Sequence, residues 1–495
     1  MIDKKLYAKN SFSGFFQKIV IALITFLAIP IFIHTKGAQV YGIFATITVL
    51  GELGRLTELG FNKTLVKFLS LQGKIKESSH DIVVASIIIL SILIPVTTFL
   101  FLSDKFVLLK IFGIPQHNLF QTRQLYFYAV AANGLLLLGS LYSSVIESQR
   151  FIYKINILQL IYSFLYWGLI IVVLLLRLDL RYIGLAIFVS SAVWFIMIVA
   201  TMKSIWGKFE ISGIRQYFKK SFKKLTNYSF KIYLSSLLAF FEEPLIKILV
   251  SNFFGVTYVG YLDVGIRIKS QILRLVQTLV YPLFQLFSEI KDNIRLKFII
   301  KDIEEKLVLL MVPASIILIT CTGSFIQLWL GTNNSTIIWS TVIVTVGALL
   351  FQFPIMPTIY YLTIYYPATL IFTQIIIILI NIIIIYIGHF FIGYSSIYLS
   401  FIVYFIAQAV LRLYYQKRYL NCALFTDMHY LKNFIIAFAM LSVSGILLHY
   451  FLSYNKFLNL IISPLILLSM TFFLYKYLQL LTSEDIKKYS IKVTA

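Results

Sequence analysis

Charged side chains are scarce in this chain of 495 residues. Asp, Glu, Lys and Arg make up 13% of it, against about 25% in an ordinary soluble domain. Apolar residues make up 60%, and the mean hydropathy is +0.89. This composition excludes a soluble globular protein, because too few polar groups remain to cover its surface. The sequence therefore predicts an all-α polytopic membrane protein.

Other features are also missing, and each absence excludes a class of protein. The two cysteines, Cys321 and Cys422, are too far apart in sequence for a CxxC motif or a metal-ligand pair. No phosphate-binding loop, HExxH motif or nucleophile elbow is found. The segments between apolar runs are too short to hold a separate catalytic domain. We therefore expect a protein that is not an enzyme, holds no cofactor or metal, and draws energy from an ion gradient or membrane potential.

Apolar windows of roughly 20 residues predict about fourteen transmembrane helices. The first is expected to be retained, since no cleavage-site pattern precedes it. The predicted spans are 15–33, 38–60, 82–102, 123–146, 152–176, 181–202, 227–250, 257–286, 303–328, 335–357, 365–388, 393–412, 433–453 and 457–478.

Lysine and arginine predict the orientation. With both termini in the cytoplasm, 31 of the 43 basic residues fall inside, seven fall outside and the rest fall within spans. Positive charge accumulates on the cytoplasmic side of membrane proteins, so this arrangement is the favoured one. We attribute the net charge of +23 to this asymmetry and to anionic lipid headgroups, and we expect no nucleic-acid partner.

Three predicted spans carry charges that lipid would not tolerate. Charges at such depth usually face a partner or a watery transport path. Residues three or four apart share a helix face, so most of these groups form stripes of mixed charge. One interpretation is an anion-binding cavity, and the alternative is a set of ion pairs that lock helices together. The charges are Glu52, Arg55 and Glu58, then Glu243 and Lys247, then Asp263, Arg267, Lys269 and Arg274.

A short motif recurs after 218 residues. Gly37 and Gly42 open the second span, and Gly255 and Gly260 open the eighth in the same spacing. The match predicts an internal duplication, and transporters often place the substrate site between such repeats. We predict a six-helix lobe at 1–205, a second at 206–420, and two additional helices at 421–495.

Several segments resemble a known family. They are Lys36–Phe44, Glu58–Phe61, Thr64–Phe68, Gly255, Val259–Tyr261, Arg267–Lys269 and Tyr281–Pro282. These segments are similar to the signature of polysaccharide-biosynthesis flippases, which export O-antigen and capsule repeat units and belong to the multidrug, oligosaccharidyl-lipid and polysaccharide exporter superfamily.

The resemblance implies two six-helix lobes that form a V around a central cavity. It implies an oligosaccharide on undecaprenyl pyrophosphate as the substrate, moved from the inner to the outer leaflet of a bacterial plasma membrane by alternating access. It also implies a glycan polymerase and assembly proteins as partners. The coupling ion, a proton or sodium, stays open.

The charged residues then receive two roles. The basic residues Arg55, Lys247, Arg267, Lys269 and Arg274 are predicted to bind the pyrophosphate. The carboxylates Glu52, Glu58, Glu243 and Asp263 are predicted to balance those cations or to carry the coupling ion. Two alternatives stand beside this prediction. One is a multidrug or cation antiporter of the same superfamily, and the other is a membrane-embedded polymerase or acyltransferase.

Overall fold

Every regular element in the described part of the chain is helical. The computed structural model describes residues 4–51, 60–207, 209, 212–289, 293–365, 367–420, 428–452, 454–478 and 480. The α-helices of ten or more residues are α1 Lys4–Ile47, α2 Phe61–Gln72, α3 Lys76–Leu102, α4 Leu119–Ser148, α5 Ile152–Leu175, α6 Leu180–Trp206, α7 Ile214–Glu242, α8 Pro244–Phe254, α9 Val256–Glu289, α10 Asn293–Leu330, α11 Ser335–Gly347, α12 Met356–Tyr365, α13 Pro367–Ile392, α14 Ser395–Tyr415, α15 Met428–Leu452 and α16 Lys456–Tyr477.

Eleven helices among the described residues are long and apolar enough to cross a membrane. This confirms the all-α polytopic fold, while the count of fourteen spans stays a prediction. The three predicted spans that carry the charges have no candidate helix of their own within the described ranges, and Phe12–Gly51 extends from the first span into the second. Span 38–60 begins in α1, span 227–250 is divided between α7 and α8, and span 257–286 lies within α9.

The chain divides into two compact units, Met1–Asp263 and Val264–Ala495. The boundary falls inside α9, whereas the sequence predicts the boundary between the lobes at 205/206. That lobe boundary stays a prediction.

In the first unit, α7 is attached to α2 and α3 by polar contacts. Lys224 of α7 forms a salt bridge with Asp81, whose side chain is 1% exposed. The hydroxyls of Thr64 and Ser229 lie 2.8 Å apart in a buried hydrogen bond. Around these contacts α2, α3, α4 and α6 bury a continuous apolar cluster that includes Leu225 of α7. Packing and hydrogen bonds of this kind hold membrane helices together where lipid removes the hydrophobic driving force.

In the second unit, the last two helices pack on α10. Their apolar contact buries Leu441 of α15 and Leu467 of α16 against Leu309 and Ile316. A polar contact accompanies it, because the Asn459 amide donates to the Ser324 hydroxyl at 2.8 Å and to the Thr320 carbonyl oxygen at 3.3 Å. The additional C-terminal helices are therefore an integral part of this unit.

Candidate functional site

The helices α1 and α9 cross at two glycines. An ideal Cβ atom on Gly42 would lie 1.8 Å from the carbonyl oxygen of Val256, and one on Gly260 would lie 2.9 Å from that of Ala38. Carbon atoms do not approach backbone oxygens so closely, so only glycine permits this crossing. Gly42 and Gly260 therefore serve the close packing of the two helices.

The crossing is reciprocal in sequence. Val256 and Gly260 follow Ala38 and Gly42 by the same 218 positions that relate the two motifs. Gly37 and Gly255 also share one backbone conformation, with φ and ψ of 80° and 165° in the first and 93° and 163° in the second. Positive φ of this kind is accessible mainly to glycine. The duplicated motif therefore forms the same local structure twice.

Two further pairs at this spacing were missed in the sequence. Pro95 lies inside α3, and Pro313 lies 218 positions later inside α10. Gly113 and Gly331 follow these two helices with φ of 60° and 66°. A search for glycine and proline pairs at a constant shift would have found both.

Next to the crossing, a buried ion pair joins three helices of the first unit. The Lys247 ammonium of α8 lies 2.5 Å from Asp263 Oδ1 of α9. The Tyr41 hydroxyl of α1 donates to Asp263 Oδ2 at 2.6 Å. We call Tyr41, Lys247 and Asp263 the Asp263 triad.

The triad buries a charged carboxylate and satisfies both of its oxygens. The side chains of Tyr41 and Asp263 are at most 1% exposed, whereas that of Lys247 is 13% exposed. A carboxylate at such depth is costly unless it is paired and hydrogen-bonded, and here both of its oxygens accept a bond. Because Lys247 is the most exposed of the three side chains, it is the member of the triad that an anion could reach.

The helix break before Lys247 explains its position. Glu243 separates α7 from α8, and Pro244 occupies the first turn of α8, where its missing N–H costs no hydrogen bond. The Lys247 amide donates to the Glu243 carbonyl oxygen at 3.1 Å. The Lys247 side chain reaches out of its own helix and pairs with Asp263, which lies sixteen positions later on α9.

Three other residues predicted to bind the pyrophosphate, Arg267, Lys269 and Arg274, lie on the part of α9 that belongs to the second unit. The Lys269 side chain is buried, with 7% exposure, and Arg267 and Arg274 are half-buried. Their predicted role in binding stays a prediction. Glu52, Arg55 and Glu58 lie outside the described residues.

Sequence reasoning missed two buried polar groups. Tyr41 was noted only as part of the glycine motif, although a tyrosine hydroxyl in an apolar helix usually needs a partner. Glu304 was passed over at the cytoplasmic end of span 303–328, although it lies in α10 with 0% exposure. Its carboxylate accepts from the Thr358 hydroxyl at 2.7 Å and from the Gln416 amide at 3.0 Å.

Across the described ranges, no group of three or more His, Cys, Asp and Glu side chains is placed to hold a metal ion.

The sequence profile of the family described as "Polysaccharide biosynthesis protein" matches residues 7–291. The chain belongs to this family. The matched region contains both glycine motifs and the whole Asp263 triad. No curated protein is similar enough in sequence to be matched.

Solved structures show the same fold at low sequence identity. One is described as "Lipid II flippase MurJ, inward closed conformation", with a TM-score of 0.70, 15% identity, and coverage of 95% of this chain and 97% of that chain. A second is a mutant of the Vibrio cholerae MATE transporter VcmN, with a TM-score of 0.57, 14% identity, and coverage of 84% and 97%. A third is the MATE multidrug transporter DinF-BH, with a TM-score of 0.55, 13% identity, and coverage of 85% and 96%. The chain is thus a multi-pass membrane protein that shares its fold with these solved structures.

Proposed function

We propose that this protein is a flippase for an oligosaccharide linked to undecaprenyl pyrophosphate. It would move the polar head from the inner to the outer leaflet of a bacterial plasma membrane, with both termini in the cytoplasm. Family membership and the fold shared with a lipid II flippase support this proposal. The observation that carries it is Lys247, a largely buried cation held by Asp263 inside the matched region.

The proposed binding step is an exchange of partners. A phosphate oxygen of the substrate would replace Asp263 as the partner of Lys247, because both are oxyanions that an ammonium group binds. Arg55, Arg267, Lys269 and Arg274 would complete the binding of the pyrophosphate. Arginine suits this role because its planar guanidinium can hold two phosphate oxygens at once.

The same exchange offers a way to couple an ion. Once Lys247 has turned to the substrate, Asp263 would be a buried carboxylate without its contact to Lys247. Uptake of a proton or another cation would offset the loss of that contact. We therefore propose that Asp263 carries the coupling proton or sodium ion, with Glu52, Glu58 and Glu243 balancing the other cations.

The decisive experiment measures the leaflet in which the lipid-linked glycan resides. Cells that contain or lack the protein are converted to spheroplasts, and an impermeant lectin or glycosidase detects glycan on the outer leaflet. We expect the glycan to accumulate on the cytoplasmic side when the protein is absent. An unchanged distribution would contradict the proposal.

The same cells separate the alternatives. If cells that lack the protein keep the normal glycan distribution but become more sensitive to cationic drugs, the protein is the antiporter. If their glycan reaches the outer leaflet but stays at one repeat unit, the protein is a polymerase.

A further inference from the structure

The second unit contains a cavity that none of the functions above uses. It has a volume of about 630 Å³ and lies between α10, α11 and α15, with the first residue of α16 at its edge. We call it the α10–α11–α15 cavity. It is separate from the Asp263 triad, which belongs to the first unit.

The lining of the cavity changes from apolar to polar along the helices. Its apolar part is formed by Ile316 and Ile319 of α10, Val342 of α11 and Ile446 of α15. Eleven residues after Ile316, Gln327 lines the other end, which is roughly 16 Å away at the rise of an α-helix. The cavity therefore has the length of a substantial part of one lipid leaflet.

The polar end lies where the four helices begin or finish. It is lined by Gln327, Asn333, Ser335, His449 and Lys456. Lys456 supplies a positive charge, and no carboxylate is present among the described residues that line the cavity. This end therefore favours a negatively charged group.

Close contacts join three of the helices that border the cavity. The Thr320 carbonyl oxygen is 3.1 Å from Nδ1 of His449 and also accepts from Asn459. Gly445 approaches α10 so closely that a Cβ atom there would lie 2.8 Å from Ile316. These contacts tie α10, α15 and α16 together beneath the opening. The wall formed by Gly323, in contrast, faces open space, because nothing lies within 4 Å of its ideal Cβ position.

We propose that the α10–α11–α15 cavity is a binding site for an anionic phospholipid. The acyl chain would lie along the isoleucines, and the phosphate would contact Lys456 and the amide and hydroxyl groups beside it. In the predicted topology this end faces the outer leaflet. The site would hold a resident lipid against the additional C-terminal helices, independently of the proposed flippase function.

Trp339 provides a local probe for the test. Its side chain lines the cavity and is 55% exposed. The full-length protein is purified in detergent, and either brominated phosphatidylglycerol or brominated phosphatidylcholine is added. The fluorescence of a Trp339→Phe variant is subtracted, so that only quenching at this residue is measured. We expect phosphatidylglycerol to quench Trp339 at lower concentration than phosphatidylcholine does.

Charge is tested by Lys456→Ala. This variant should raise the half-saturating phosphatidylglycerol concentration about five-fold, the effect of one lysine near anionic lipid, and should leave that of phosphatidylcholine unchanged. Lys476→Ala is the matched control, because Lys476 lies in the last turn of the same helix and does not line the cavity. Equal quenching by the two lipids in the wild type, or equal effects of the two substitutions, would overturn the proposal.

Shape is tested by Gly323→Phe, which fills the cavity without a backbone clash. We expect this variant to keep its melting temperature and to lose quenching by both lipids. Gly168→Phe is the control, since Gly168 of α5 is also a helical glycine with nothing within 4 Å of its Cβ position. Unchanged quenching in Gly323→Phe would show that lipid reaches Trp339 without entering the cavity, and the site would be rejected.

Discussion

The hydroxyl of Tyr41 lies 2.6 Å from Asp263, although 222 residues separate the two in sequence. Lys247 contacts the other carboxylate oxygen of the same side chain. The acid thus connects the first glycine motif, which contains Tyr41, with the two helices that meet at Gly255. Its substitution tests both the stability of the first unit and the proposed coupling.

Asp263→Asn should destabilise the protein by roughly 3–5 kcal/mol, because it leaves the Lys247 ammonium buried without its carboxylate. The double variant with Lys247→Met should recover a large part of that loss, since no uncompensated charge remains. Thermal unfolding of the purified single and double variants measures this coupling. Additive single effects would contradict a direct interaction between the two side chains.

Tyr41→Phe should cost about 1 kcal/mol, the net value of one buried hydrogen bond, because the ring still fills its space. Tyr477→Phe is a suitable control, since Tyr477 is 85% exposed. A melting temperature equal to that of the control would mean that the Tyr41 hydroxyl does not stabilise Asp263.

Gly42→Ala should severely reduce the folded yield, because the new methyl group would lie 1.8 Å from a backbone oxygen that cannot move freely. Gly168→Ala should be neutral or slightly stabilising, since alanine favours the helix by about 1 kcal/mol over glycine and this site is open. Fluorescence-detected gel filtration compares the two. Similar yields for both would disprove the close crossing of α1 and α9.

Arg267→Ala and Arg274→Ala should each abolish surface glycan while the protein still reaches the membrane, if both guanidinium groups bind the pyrophosphate. Arg181→Ala, at the start of α6, removes the same charge from an exposed position and should leave glycan export intact. Surface glycan is measured by immunoblot beside the amount of protein in the membrane fraction. Normal export in both variants would remove these arginines from the proposed site.

Glu304→Gln should destabilise the second unit, because one of the two carboxylate oxygens becomes an NH₂ group that faces the donor of either Thr358 or Gln416. Glu305→Gln should have little effect, since Glu305 is 23% exposed and its contact with Lys301 is a weak 3.8 Å pair. Both substitutions remove one negative charge, so a difference in melting temperature between the two variants reports the effect of the burial of Glu304. Equal values would contradict the burial of Glu304.

Apolar windows predicted the helical fold because each spanning helix must satisfy its own backbone hydrogen bonds in lipid. The same rule was less informative for α9, where charges lower the hydropathy, and for α8, which is apolar but only 11 residues long. There the glycine motif was the better signal, since Gly42 and Gly260 report a close backbone approach that composition alone does not reveal.

Periodicity could identify Lys247 and Asp263 but could not pair them. Helical spacing relates residues within one turn, so it placed Lys247 with Glu243 and Asp263 with Arg267. The observed pair crosses from α8 to α9 and recruits Tyr41 from α1. Such partners depend on how helices pack, and a single sequence contains no direct record of that packing.

The contact of Gly42 with Val256 and that of Gly260 with Ala38 exchange roles between equivalent positions. A surface that matches itself in this way is what a two-fold dimer of identical chains requires. A shorter ancestor with a single copy of the motif could therefore have formed the same crossing between two separate molecules. Fusion of the two copies into one chain would then have preserved an interface that already existed, and freed each copy to acquire its own acid or base.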